Sequence, residues 1–154
     1  MRKALTIASS SFLIFINLNH PCTALEANIS SPDITEAADL QFGTNLPDET
    51  RVKLCISDGS ETVRCEGNTS VFKGIIKDPA TNGCLRELQA GRYLLEIITA
   101  YSQFQPEVVR AVIGERGEHL HGELALKKML GTRVWMARPM VVQEDGRLSC
   151  RQDQ

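Results

Sequence analysis

The sequence has no excess of positive charge and no block of like charges. Its 154 residues include 17 lysine and arginine residues against 19 acidic ones, a formal net charge of −2 at pH 7 with histidine neutral. Proteins bind nucleic acids largely through cations that neutralise phosphates. The charge balance therefore predicts no nucleic-acid partner.

A second long apolar run is also lacking, and the one that is present lies at the N-terminus. Arg2 and Lys3 precede an uncharged, mostly apolar segment over residues 4–18, and the small-residue site Cys22-Thr23-Ala24 follows. This order is typical of a secretory signal peptide, and the run is shorter than the about 18–20 residues that cross a bilayer. We predict a signal peptide over residues 1–24, no transmembrane span, and a periplasmic or secreted product.

Removal of residues 1–24 leaves 130 residues, 15 of them basic and 19 acidic, with a formal charge of −4. A chain of this length fits a single domain with its own core. Residues 25–36 are polar and short of large apolar side chains, so we predict a flexible leader there. The folded domain is then expected over residues 37–154.

No Cys-x-x-Cys pair occurs, which argues against a four-cysteine zinc site. Cys55, Cys65, Cys84 and Cys150 form an even set in an exported chain, and two disulfides are expected. Three pairings are open. A hairpin centred near Ser60 would place Cys55 opposite Cys65, so we favour Cys55–Cys65 with Cys84–Cys150.

Apolar and polar residues alternate with the period of a strand in most of the remaining chain. This pattern occurs at residues 38–44, 51–57, 71–76, 93–97 and 132–143, the last segment being interrupted by Pro139. Pro106 and Gly114 bracket a short helix that ends at Ile113. We predict a mainly β fold, a single β-sandwich of about seven short strands with one short helix.

The run Leu88-Gln89-Ala90-Gly91-Arg92-Tyr93 continues with Leu95 and Ile97 at alternate positions. The spacing leucine, x, x, glycine, x, tyrosine resembles the turn and strand of prealbumin-like and immunoglobulin-like β-sandwich modules. The wider stretch over residues 44–122 is similar to uncharacterised bacterial exported proteins of this build. The resemblance implies an exported bacterial β-sandwich, and it carries no catalytic motif.

Residues 112–117, Val-Ile-Gly-Glu-Arg-Gly, match the glycine-x-x-glycine loop with which KH domains clamp a nucleotide backbone. Glu115 within the loop and the β-rich remainder of the chain argue against that interpretation. We interpret Gly114 as the end of a helix in a left-handed turn and Gly117 as a residue that relaxes the loop.

His119 and His121 are the two histidines that remain after processing, and Glu115, Glu118 and Glu123 lie beside them. In an extended segment both imidazoles would face one way and could share a copper or zinc ion. The sequence shows no well-placed third ligand. Periplasmic binding of copper or zinc through His119 and His121 is therefore the alternative function.

A catalytic constellation is missing as well. No serine lies in a glycine-x-serine-x-glycine elbow, and the carboxylate pairs Glu36 with Asp39 and Glu144 with Asp145 lie in segments that look exposed. We predict no enzyme and no cofactor. The favoured function is a non-catalytic binding or structural module of the bacterial envelope, with an unknown envelope or extracellular partner.

Aromatic residues with arginine dominate binding patches, and Tyr101, Phe104, Arg133 and Trp135 form such a set. Arg133 and Trp135 lie on one face of the last long strand, and Tyr101 and Phe104 lie near the start of the helix. These four residues are the predicted binding patch. Core packing is the alternative for Trp135.

Overall fold

A computed structural model describes residues 24–30 and 40–150 of the chain. The predicted signal peptide, apart from Ala24, lies outside the described residues, as do residues 31–36 of the predicted leader. The mainly β prediction is confirmed, because the described part of the chain contains ten strands, two short α-helices and one turn of 3-10 helix. No helix in these residues has the length and apolar character needed to span a bilayer.

The elements follow one another in chain order as β1 (Leu25–Glu26), β2 (Gln41–Gly43), β3 (Arg51–Asp58), β4 (Val63–Phe72), β5 (Ile75–Lys77), α1 (Pro79–Leu85), β6 (Gly91–Thr99), α2 (Glu107–Ile113), β7 (Leu120–His121), β8 (Ala125–Lys128), β9 (Gly131–Val142) and β10 (Leu148–Cys150). The 3-10 turn spans Ser102–Phe104, between β6 and α2.

One antiparallel sheet dominates the fold, with the strand order β10-β9-β6-β3-β4-β5-β2 and with β8 paired to the start of β9. Alternate residues of its three central strands are buried on one face, and they include Leu54, Ile56, Leu95, Ile97 and Met136. Burying each such side chain fully contributes about 1.5–3 kcal/mol. Residues of β1, β7, α1 and α2 complete this core in a sandwich-like arrangement.

The start of the predicted leader is part of the domain. β1 pairs in parallel with β7, and the Leu25 N–H donates to the His119 carbonyl oxygen at 2.8 Å. Ala27 and Ile29 are buried in the core. The flexible leader is therefore corrected over residues 25–30. Leu25, Ala27 and Ile29 alternate with polar residues, but this stretch is too short to reveal a strand whose partner lies almost a hundred positions away.

Several local predictions hold and others change. The helix before Gly114 is confirmed as α2, and Gly114 has a positive φ of 91°. The strand predicted over residues 71–76 is instead a tight hairpin, because Lys73 and Gly74 adopt positive φ values of 52° and 71° between β4 and β5. β8 (Ala125–Lys128) and α1 (Pro79–Leu85) lie outside the segments predicted as strand or helix.

The predicted disulfide pairing is wrong. The structure joins Cys65 to Cys84, whose Cα atoms are 5.9 Å apart. Cys55 and Cys150 are free thiols. The described residues therefore contain one disulfide, between β4 and α1, instead of two.

A β-bulge after Ile56 explains the difference in pairing. Cys55 lies opposite Glu66, and Cys65 lies opposite Ile56. Successive strand residues point to opposite faces of a sheet, so a shift of one residue exchanges the faces. Cys65 consequently points into the core, where it meets Cys84, and Cys55 points to the other face.

The turn before β4 holds the bulge in place. Asp58 accepts hydrogen bonds from the Ser60 N–H at 2.9 Å, the Ser60 hydroxyl at 2.6 Å and the Arg64 Nε at 2.6 Å. The Ser60 hydroxyl and then the Arg64 guanidinium keep the pKa of Asp58 well below its usual range. Arg64 is the residue that has no partner on β3 between Val63 and Cys65, and the Asp58 carboxylate fixes its position.

Candidate functional site

The face of the sheet that points away from the core carries a groove of about 800 Å³. Strand register brings Lys53 of β3 beside Ile98 of β6, and Ile98 beside Trp135 of β9. The residues that matter for its chemistry are Arg51, Lys53, Asn68, Ile98, Phe104 and Arg133. None of the described residues that line the groove is acidic.

The four residues of the predicted binding patch lie in or beside this groove. Phe104 and Arg133 line it, and the Arg133 guanidinium lies 4.7 Å from the centre of the Tyr101 ring. Trp135 is 38% exposed, so it does not occupy a core position. Its indole N–H donates to Glu96 at 2.9 Å, which fixes the orientation of the ring on the open face.

Arg133 is held in an unusual environment. Its Nε is buried and has no hydrogen-bond partner among the described residues. Contact with the Tyr101 ring contributes about 0.5–1 kcal/mol at an exposed site. A buried donor without a partner costs about 1–3 kcal/mol, and more when the group is charged. Stability alone therefore does not account for an arginine at this position.

Two guanidinium groups give the groove its positive charge. The Arg51 Nη1 donates to the Phe104 carbonyl oxygen at 2.9 Å, and neither Arg51 nor Arg133 forms a salt bridge with a described residue. Lys53 differs, because Glu66 lies 2.8 Å from its Nζ and the hydrogen bond with Glu66 raises the pKa of Lys53. The charge of Lys53 is thus compensated locally.

Gln105 fixes the aromatic wall of the groove. Its side chain is buried, its Oε1 accepts the Arg51 N–H at 2.7 Å, and its Nε2 donates to the carbonyl oxygens of Arg51 and Ala100 at 3.1 and 3.0 Å. The amide therefore continues the sheet pairing beyond the start of β3 and the end of β6. Phe104, the preceding residue, is held over the groove as a consequence.

Replacing Gln105 by alanine should lower the free energy of unfolding by about 1–3 kcal/mol. The Arg51 N–H and the Ala100 carbonyl oxygen lose the partner that Gln105 provides, whereas the Arg51 carbonyl oxygen keeps its bond from the Ala100 N–H. Urea unfolding followed by circular dichroism measures the change. Gln103→Ala is the matched control, since Gln103 is exposed in the same short turn, and it should change stability by less than about 0.5 kcal/mol. Equal effects of the two substitutions would contradict this role of Gln105.

The glycine-x-x-glycine loop packs against the hairpin of β8 and β9. Gly117 is buried with a φ of 71°, and a methyl group on it would collide with the Thr132 carbonyl oxygen. The Thr132 N–H donates to the Arg116 carbonyl oxygen at 2.8 Å. Gly117 thus allows two backbones to approach closely, and the predicted role of Gly114 as a helix end is confirmed.

The two histidines are held differently. The His119 Nδ1 lies 2.9 Å from the Val112 carbonyl oxygen, whereas His121 is exposed on β7. Within residues 24–30 and 40–150, no group of three or more histidine, cysteine, aspartate or glutamate side chains is arranged to hold a metal ion. The structure therefore adds no third ligand to the pair that the sequence indicates.

Sequence reasoning missed Arg51, Gln105 and Arg138. Arg51 lines the groove because of strand pairing, and Gln105 supports its wall from a turn; neither arrangement has a local signal in the sequence. Arg138 has one, because it interrupts the otherwise apolar alternation Val134, Met136, Met140 of β9.

Comparison with known proteins gives no match for this chain among family models, curated proteins or solved structures.

Proposed function

We propose that this protein is a non-catalytic binding module of the bacterial envelope and that the groove on its open face holds an anionic ligand with an apolar part. The predicted signal peptide supports export, and the Cys65–Cys84 disulfide is compatible with an oxidising compartment. The resemblance to exported β-sandwich modules agrees with this assignment.

The observation that carries the proposal is the position of Arg133. A guanidinium that lines a groove, lacks a carboxylate partner among the described residues and has a buried Nε is suited to bind an anion from outside the chain. Arg51 adds a second positive charge to the same concave surface. Among the residues that the structure describes, no acidic side chain lines the groove to repel such a ligand.

The apolar part of the ligand is inferred from the aromatic side chains at the same place. Phe104 lines the groove and is 55% exposed, although burial of a phenylalanine is favourable. Trp135 lies next to Ile98, which also lines the groove. Exposed aromatic residues next to arginine are typical of surfaces whose affinity resides in a few side chains.

Two aromatic probes of similar shape test the proposal. We expect naphthalene-2-sulfonate to shift backbone NMR signals of the groove strands and neutral 2-naphthol to bind at least about tenfold more weakly. Arg133→Gln should weaken sulfonate binding by about tenfold or more while leaving 2-naphthol almost unaffected.

Arg147→Gln is the matched control, because Arg147 is exposed and lies near Asp145 in the turn before β10. It should leave sulfonate binding within about twofold of wild type. The proposal fails if the sulfonate does not bind the groove, or if Arg133→Gln and Arg147→Gln weaken its binding equally.

A further inference from the structure

A second pocket lies on the opposite side of β9, between the long sheet and the N-terminal segment. It has a volume of about 540 Å³ and is lined by residues 26–29, Asn45, Glu123, Leu124 and Arg138. Asn45 holds its wall together, because its Oδ1 accepts the Asn28 N–H at 2.8 Å and its Nδ2 donates to the Glu26 carbonyl oxygen at 2.6 Å. The pocket therefore exists only when this segment is docked.

Arg138 is a charged residue at a core-facing position. It lies opposite Leu95 and alternates along β9 with Met136 and Met140, all three of which are buried. The side chain is half-buried, and its Nε is buried without a hydrogen-bond partner among the described residues. Shielding a charge from water without a partner is costly, so this arginine weakens the fold unless an anion reaches it.

Two carboxylates line the same pocket. Glu26 and Glu123 are both exposed, and no salt bridge joins either of them to Arg138. A cavity lined by opposite charges that do not pair with each other is suited to a ligand that carries both a positive and a negative charge. The carboxylate of such a ligand would pair with Arg138, and its ammonium group with Glu26 or Glu123.

The rest of the wall is mixed, because the polar residues Asn28 and Asn45 line it together with three aliphatic residues. Ala27 and Ile29 are buried in the core and Leu124 is partly buried, and all three line the pocket. A ligand that places its charged end between Arg138 and the two carboxylates would thus place its other end near Leu124, the aliphatic residue of the wall that is not fully buried. The volume is of the order of that of small-molecule sites, about 300–1,000 Å³.

We propose that this pocket binds a small zwitterion with an aliphatic side chain, of the class of free apolar α-amino acids. Arg138 recognises the carboxylate, Glu26 and Glu123 recognise the ammonium group, and Leu124 contacts the side chain. This site is separate from the groove around Arg133.

Isothermal titration calorimetry with L-leucine and two truncated analogues tests the proposal. We expect saturable binding of L-leucine, and binding weaker by about tenfold or more for 4-methylpentanoate, which lacks the ammonium group, and for 3-methylbutylamine, which lacks the carboxylate. Arg138→Gln should weaken L-leucine binding by a similar factor, whereas Arg133→Gln and Arg147→Gln should leave it within about twofold.

A stability measurement distinguishes a ligand-binding arginine from a structural one. Without ligand, Arg138→Met should have a melting temperature equal to or above that of wild type, because methionine continues the apolar row of β9 and removes a guanidinium whose buried Nε has no hydrogen-bond partner among the described residues. The proposal is overturned if L-leucine does not bind, if 4-methylpentanoate binds as well as L-leucine, or if Arg138→Met lowers the melting temperature. None of these outcomes bears on sulfonate binding in the groove.

Discussion

Gly117→Ala is expected to lower the free energy of unfolding by about 3 kcal/mol, the sum of a backbone penalty and a collision. Gly117 has a φ of 71°, a region that costs an L-residue about 1–2 kcal/mol, and its added methyl group would meet the Thr132 carbonyl oxygen. Relief of that collision requires the loop to separate from β9, which breaks the hydrogen bond from Thr132 to Arg116. Urea unfolding measures the loss.

Gly146→Ala separates the two contributions. Gly146 has a similar φ of 78°, but nothing lies within 4 Å of the position that a methyl group would take. The control should therefore lose only the backbone penalty of about 1–2 kcal/mol. If the two variants lose the same stability, the close approach of the loop to β9 contributes nothing and the structural interpretation of the glycine-x-x-glycine motif is wrong.

The close approach of the glycine-x-x-glycine loop to β9 also requires a glycine on the β9 side. Gly131 starts β9 with a φ of 123°, and a methyl group on it would collide with the Arg116 carbonyl oxygen. Gly117 and Gly131 thus face the same junction from opposite sides. The junction sets the start of β9, the strand that carries both Arg133 and Arg138.

Elements with local signals could be predicted from the sequence. Tyr93, Leu95 and Ile97 alternate and share one face of β6, and Pro106 and Gly114 bracket α2. In each case the residues that carry the signal lie within about ten positions of one another: the alternating apolar residues of β6, and the proline and glycine at the two ends of α2. Local chemistry is then sufficient, because the tertiary structure reinforces the preference of the segment.

Features that depend on distant pairing could not be predicted. The bulge after Ile56 is one residue long, yet it moves Cys65 to the core face and so changes the disulfide. β1 has two residues and depends on β7 for its pairing. Short strands and bulges carry little sequence signal, because their stability comes from the partner strand.

The candidate site also has a part that the sequence indicates and a part that depends on distant pairing. Residue type alone indicated Tyr101, Phe104, Arg133 and Trp135, since aromatic residues and arginine favour binding surfaces. Their convergence depends on β6, β9 and the 3-10 turn meeting at one edge of the open face. Arg51 enters the groove only because β3 lies beside β6.

Loss of the Cys65–Cys84 disulfide is expected to lower the free energy of unfolding by about 3 kcal/mol. The bond closes a loop with a sequence separation of 19, and constraining a loop of that length in the unfolded chain contributes about 3 kcal/mol. Cys65→Ala combined with Cys84→Ala should show this loss in urea unfolding. Dithiothreitol should destabilise wild type by a similar amount and leave the double variant unchanged.

Substitution of the two free thiols provides the control, and alkylation of the cysteines tests the disulfide pairing. Cys55→Ala combined with Cys150→Ala should keep the sensitivity to dithiothreitol, because the disulfide remains. In the folded protein the Cys55 thiol should react slowly with iodoacetamide, since burial raises its pKa and the thiolate is the reactive form. After unfolding without reductant, Cys55 and Cys150 should be alkylated and Cys65 and Cys84 protected. Protection of Cys55 together with Cys65 would instead require the strands to pair without the bulge, and the core face of β4 would then be different.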